Sequence, residues 1–267
     1  MVSLVVGRNS YGTLAEADAH LDGSVTAALT WSATPEETKA RSMISAFRQI
    51  EKQSFAGTAT GVTLLDGVAL GVGGTGYAVG DVLTVSGGTL GEAAQAKVLT
   101  VDGSGVVLTI DLIHAGAYTA APTSPAVTTG GGGSGATLSF TEIDQLADFP
   151  RDGLVDCDGD EVDSTTYPTD LKAGQFELAY ALSQDASIEQ ASGTGSNVKR
   201  LKAGSAEIEY FRPESDAQRF PTQVQEYLAC FLSTVAGGRL ALGFHSGAGV
   251  VSNFENYPDD YDRTEGF

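Results

Sequence analysis

Between residues 58 and 141 the chain changes texture, and that change limits its possible folds more than any other feature. More than half of its 34 glycines fall here, among Thr, Val and Leu, with hardly any charge. The segments "DVLTVSGGT", "AKVLTVDGSGVVLTIDLI" and "GATLSFTEI" alternate or run as β-branched strands between Gly-Gly, Asp-Gly and Ser-Gly turns. "VLTVDGSGVVLTI" predicts a hairpin across Asp102–Gly105. The glycine run at 129–137 reads equally well as a flexible linker or as a loop within a sheet.

Helical periodicity flanks this stretch on both sides. Thr13 with Glu16 makes a capping box, followed by Leu14, Ala17 and Leu21 on one face. A second box, Thr34 with Glu37 around Pro35, predicts a long helix burying Ala40, Met43, Ile44, Phe47 and Ile50. After 146, a helix is expected from Thr169 with Leu171, Phe176, Ala179, Tyr180 and Leu182 inward. Another is expected from Pro221 to about Thr234, carrying Val224, Tyr227, Leu228, Phe231 and Leu232. "VKRLKAGSAEIEYF" reads as a hairpin in which Arg200 faces Glu207. The expected class is α+β: a small helical bundle with a β-hairpin, plus an inserted all-β domain. Its parts are residues 1–57 and 142–236 (helical, with the hairpin at 197–210), 58–141 (β-rich insertion) and 237–267. That last segment, rich in Gly, aromatics and acids, is either a loose terminus or an arm ordered by a partner.

Charge narrows the function. Fifteen basic against 34 acidic residues give a net charge of −19 and a pI near 4.3, a surface that repels phosphate and anionic lipid. No apolar run is long enough to span a membrane, and the opening residues do not form a signal peptide. A soluble protein made in the cytoplasm is expected. Cys157 and Cys230 have no metal-type spacing; they could pair, but a reducing compartment fits as well.

Catalytic patterns fail one by one. Taking Asp156 as position 1 of a calcium loop, "DCDGDEVDSTTY" has Glu161 where the turn needs Gly and Tyr167 where a bidentate Glu is required. A solvated turn, with Gly153 and Gly159 at positive φ, explains the carboxylates better. "GVGGTG" (71–76) leads into a strand, so it lacks the helix N-terminus a phosphate site needs. There is no G-x-S-x-G elbow, and His20, His114 and His245 lie in three different regions. No enzyme, cofactor or metal is expected. Lys199, Arg200 and Lys202 could touch phosphate, but Glu207 and Glu209 on the opposite strand favour hairpin or intersubunit charge pairs.

Taken in order, "SYGTLAEADAHL", "TPEETKARSMISAFRQIEK", "LADFPRDGLVDCDGDEVDSTTYPTDLKAGQFELAYAL" and "VKRLKAGSAEIEYF" resemble the head–tail connector (adaptor, head-completion) proteins of tailed bacteriophages, some of which are labelled DnaT-like. About 140 residues carry the resemblance. The β insertion departs from it and is similar to Gly/Thr-rich modules of other phage structural proteins. The resemblance implies a virion protein of the neck, without catalysis, forming a homo-oligomeric, commonly dodecameric ring under the portal protein. Such a ring meets tail or nozzle proteins and lets DNA pass without specific binding. It also implies a portal-binding arm, here anchored by Phe244, Phe254, Tyr257, Tyr261 and Phe267. The alternative, from the DnaT-like label, is a single-stranded DNA-binding module.

Overall fold

A computed structural model describes residues 3–185, 200–203, 206–209 and 220–233. Helix α1 (Leu14–Asp22) opens on the expected box: Thr13 Oγ1 accepts from Glu16 N, and the Glu16 carboxylate accepts from Thr13 N. The second box does not form. A six-residue helix, α2 (Ala28–Ala33), precedes α3 (Glu36–Ile50) and takes Thr34 as its extended C-cap. A residue before proline is driven out of the helical region, and the Thr34 hydroxyl turns back to donate to Thr30 O. Pro35 stands at the N-cap of α3 instead, and Glu37 pairs with Arg41 one turn on, at 2.8 Å. The predicted stripe of α3, Ala40, Met43, Ile44, Phe47 and Ile50, is buried.

Ten strands follow: β1 (Thr58–Ala59), β2 (Thr63–Thr75), β3 (Val82–Val85), β4 (Thr89–Glu92), β5 (Gln95–Val101), β6 (Val107–His114), β7 (Ala117–Ala120), β8 (Ala126–Thr129), β9 (Ser134–Asp144) and β10 (Arg151–Asp152). Eight of them form one antiparallel sheet in the order β4-β7-β2-β9-β8-β3-β5-β6. The sheet curls until β6 returns toward β2, where Tyr77 N donates to Gly105 O and Leu65 N to Ala115 O. Leu83, Val98 and Val107 pack in one inner cluster, and Leu65, Tyr118 and Leu138 in another. The β5–β6 hairpin closes as expected, with Val101 opposite Val107 and the Asp102 carboxylate accepting from Ser104 N and Val106 N. The glycine run is a tight β8–β9 connection, pinned where Gly132 N donates to Asp81.

β1 and β10 pair with each other, Thr58 opposite Asp152, so the chain leaves and returns at one seam. After it come α4 (Thr169–Gln184), the hairpin β11 (Arg200–Ala203) and β12 (Ala206–Glu209), and α5 (Thr222–Leu228). Of the predicted α4 set, Leu171, Phe176, Ala179 and Leu182 are buried, whereas Tyr180 is half-buried with its hydroxyl on Thr26 O. α5 ends six residues before the expected Thr234. The chain after it runs back along Ser54–Ala56, with Ala56 N on Phe231 O and Ser233 N on Ser54 O. Tyr227 is only half-buried, while Val224, Leu228 and Phe231 are fully buried.

The fold is mixed helix and sheet, but the expected small helical bundle is not evident. α2 and α5 are short, and much of the core they share comes from non-helical residues, namely Tyr11, Phe55, Ala147, Phe149, Leu154 and Tyr167. Tyr11 sits against Phe47 at 4.9 Å between ring centroids, and Phe149 edges onto both Phe55 and Phe231. Cys157 and Cys230, left open by their spacing, form a disulfide with Cα atoms 5.3 Å apart.

Candidate interaction surfaces

Three charged or titratable side chains that the sequence leaves unassigned, Glu92, His114 and Lys172, meet where the sheet touches the helices. Glu92, at the end of β4, accepts from His114 Nε2 at 2.7 Å and from Tyr167 N at 2.9 Å, with Lys172 Nζ 3.6 Å away. Gly116 N donates to His114 Nδ1, so the ring proton lies on Nε2 and points at Glu92. Lys172 on α4 also reaches Glu16 on α1 at 3.1 Å. Burial pushes the Glu92 carboxyl up, but the His114 hydrogen bond and Lys172 outweigh it and hold it below the usual range. Glu16 follows the same balance, with Thr13 and Lys172 overcoming its burial. His20 on α1 meets Glu177 on α4 at 3.2 Å. Both histidines are thus structural partners of carboxylates, a role no local spacing could reveal.

Arg151 closes the β1–β10 seam. Its guanidinium donates to the carbonyls of Phe55, Ala56, Gly57 and Asp148. Nearby, the Tyr11 hydroxyl and Asp148 N both donate to the Glu51 carboxylate. Burial dominates there and raises the Glu51 carboxyl above its ordinary range.

The acidic turn stands as the spacing predicts, with φ of +74° at Gly153 and +89° at Gly159. Asp156 Oδ1 accepts from Asp158 N and Asp160 N, which closes the turn on itself. Among the described residues no group of three His, Cys, Asp or Glu is placed to hold a metal ion. No described helix is long and apolar enough to cross a membrane.

In the β11–β12 hairpin Arg200 lies opposite Glu209 and Lys202 opposite Glu207, which corrects the expected pairing of Arg200 with Glu207. The closing pair is Ala203 with Ala206, one residue beyond where a turn centred on Ala203–Gly204 would put it. Lys199 and the predicted arm residues Phe244, Phe254, Tyr257, Tyr261 and Phe267 lie outside the described residues, as does His245. Aromatic use is uniform elsewhere: among the described residues no Phe, Tyr or Trp is exposed, and only Tyr180 and Tyr227 are half-buried.

Residues 140–244 match a family described as "Putative DnaT-like ssDNA binding protein". The match takes in β10, the acidic turn, α4, the β11–β12 hairpin and α5, and leaves out α1 to α3 and most of the sheet. No curated protein and no solved structure matches the chain.

Proposed function

We propose that this chain is a structural, non-catalytic protein of a phage neck: a head–tail adaptor whose copies form a ring under the portal. The ring continues the DNA channel and carries the tail. The carrying observation is the use of cations in the matched segment. Arg151 and Lys172 are spent on carbonyls and carboxylates inside the molecule, and Arg200 and Lys202 lie opposite glutamates. Binding to single strands rests on a basic groove with aromatic platforms on which bases stack. The described part of the match supplies neither. A strongly acidic wall suits a channel through which DNA slides, because carboxylates repel phosphates at close range.

Electron microscopy of the purified protein mixed with portal tests this reading. Rings stacked on the portal are the expected result, and deleting residues 237–267 should abolish attachment while the helical core stays folded. Unchanged co-assembly would remove the arm from the reading.

The family description favours a second reading, single-stranded DNA binding. Fluorescence anisotropy with a labelled oligonucleotide, followed from low to physiological salt and read at the latter, separates the two. Binding tighter than the roughly 10⁻⁶ M limit of ordinary non-specific contacts would install the second reading in place of the first.

A further inference from the structure

Past its exposed first turn (Glu36, Glu37 and Thr38), helix α3 is buried except for one narrow row that continues from Glu37: Arg41, the half-buried Ser45 and Arg48, followed by Lys52 just past the helix end. Positions three and four apart lie one above the other on a helix, so the row is continuous. Glu37 already holds Arg41, whose side chain is 66% exposed. Arg48 and Lys52 are exposed and have no carboxylate partner among the described residues. In a chain with 19 more acidic charges than basic ones, two such cations side by side stand out: the other exposed lysine without an ion pair among the described residues, Lys97 on β5, stands alone.

The same molecule carries the complementary feature. Asp158, Asp160 and Glu161 are all exposed on the turn after β10. The turn is stiff: Asp156 ties it from within, Leu154 anchors its start in the core, and the Cys157–Cys230 disulfide fastens it to the end of α5. Carboxylates this close repel one another, and burial first, then the charges of Asp156 and Asp158, raise the nearby Asp170 carboxyl above its ordinary range. A cationic partner would relieve that repulsion.

We infer that the Arg48–Lys52 end of α3 docks onto the Asp158–Glu161 turn of a second copy of this chain. The two patches differ, so the contact is heterologous and repeats from copy to copy, closing a ring or extending a filament according to the rotation it imposes. At physiological salt the Debye length is about 8 Å, so the overall repulsion between acidic copies is screened and contact-range pairs decide. DNA is the weaker candidate for this row, since two or three cations supply only two or three phosphate contacts. The inference deepens the ring reading and rests on it only for closure.

Sedimentation velocity of the full chain across 50–500 mM NaCl tests the contact. Association should weaken at least about tenfold over that range, as contact-range ion pairs are screened. It should weaken similarly in the R48E/K52E and D158N/D160N variants, with R48A/K52A as a milder control and melting curves confirming the fold. A chain carrying R48E/K52E together with D158K/D160K should recover association to within about threefold of the parent, as restored charge complementarity predicts. A parent chain monomeric at every concentration and salt overturns the contact. So does undiminished association of R48E/K52E, in which case rings seen by microscopy would leave the adaptor reading standing on another interface. Oligonucleotide binding lost in R48E/K52E would assign the row to phosphate and overturn the contact as well.

Discussion

At the scale of single residues, two side chains near the seam make opposite demands. Arg151, whose side chain is only 11% exposed, uses its planar fork to satisfy several carbonyls at once. Lysine has no such fork, so Arg151→Lys leaves part-buried carbonyl oxygens unpaired and should lower unfolding free energy by about 1–2 kcal/mol. Urea unfolding of the two chains checks this, and an unchanged midpoint would count against the knot. Glu51 works the other way. Its folded-state carboxyl is held above the ordinary range, chiefly by burial, so the folded state binds more protons than the unfolded chain at pH values between the two. Stability from this group is present below the unfolded value and falls as pH rises through the folded one. Glu51→Gln keeps an acceptor for Tyr11 and removes the titration. Its stability relative to the parent should therefore climb as pH rises from the ordinary glutamate range and level off once pH has passed the raised folded-state value. Glu16 and Glu92, held below their ordinary range, contribute stability that is lost as pH falls. Only the difference curve between variant and parent isolates Glu51, and a flat difference would refute its raised value.

Elements show where local chemistry suffices and where it does not. The Thr13 box, the α3 stripe and the Asp102–Gly105 hairpin were readable because each depends on residues within a turn or two. Thr34 misled because the same residue can start one helix or stop another, and the six-residue α2 is too short for a period to show. The Cys157–Cys230 bond was left open by the sequence, which allowed the pair without favouring it. A separation of 73 residues carries no spacing signal, and only the packing of α5 against the acidic turn brings the sulfurs together. Closing a loop of that length restricts the unfolded chain by up to about 4 kcal/mol, and removing such bridges commonly costs about 2–4 kcal/mol. The double variant C157S/C230S should show a loss of that size in urea unfolding. No loss would mean that the unfolded chain already holds the turn near α5. Of the candidate surfaces, the charge alternation of β11 and β12 was legible, but their register was off by one turn position. The Glu92 and Glu177 pairings with histidine were hidden, since one joins two strands, β4 and β6, and the other two helices, α1 and α4, that no local period relates.

For the whole molecule, the sequence suggests two independent bodies, and the contacts between them argue for one cooperative unit. Val6 forms bridges with His114 and Ser10, Val5 packs with Val62, Leu64, Ala115 and Ala117, and Arg8 pairs with Asp66, so the N-terminal segment lies on the sheet. Glu92 holds α4 and the turn before it to β4, and the β1–β10 seam and Arg151 join the segments before and after the sheet. Unfolding the sheet alone would strand Val5 in water, uncover the sides of Val6 and Tyr167 that face His114, and leave Lys172 and Tyr167 N without Glu92. Burial of a single aliphatic side chain is worth about 1.5–3 kcal/mol, so several such losses exceed what a separate transition could tolerate within a typical net stability of 5–15 kcal/mol. Trp31, the only tryptophan, reports on the helices, and buried Tyr77 and Tyr118 report on the sheet. Trp31 fluorescence and the ring-proton resonances of Tyr77 and Tyr118 should therefore follow one coincident urea transition. In Glu92→Ala, which removes the partner of His114, Tyr167 and Lys172 together, the two probes should part, with the sheet signal lost at lower urea. Separate transitions already in the parent chain would show that the sheet folds on its own and that the seam merely connects it.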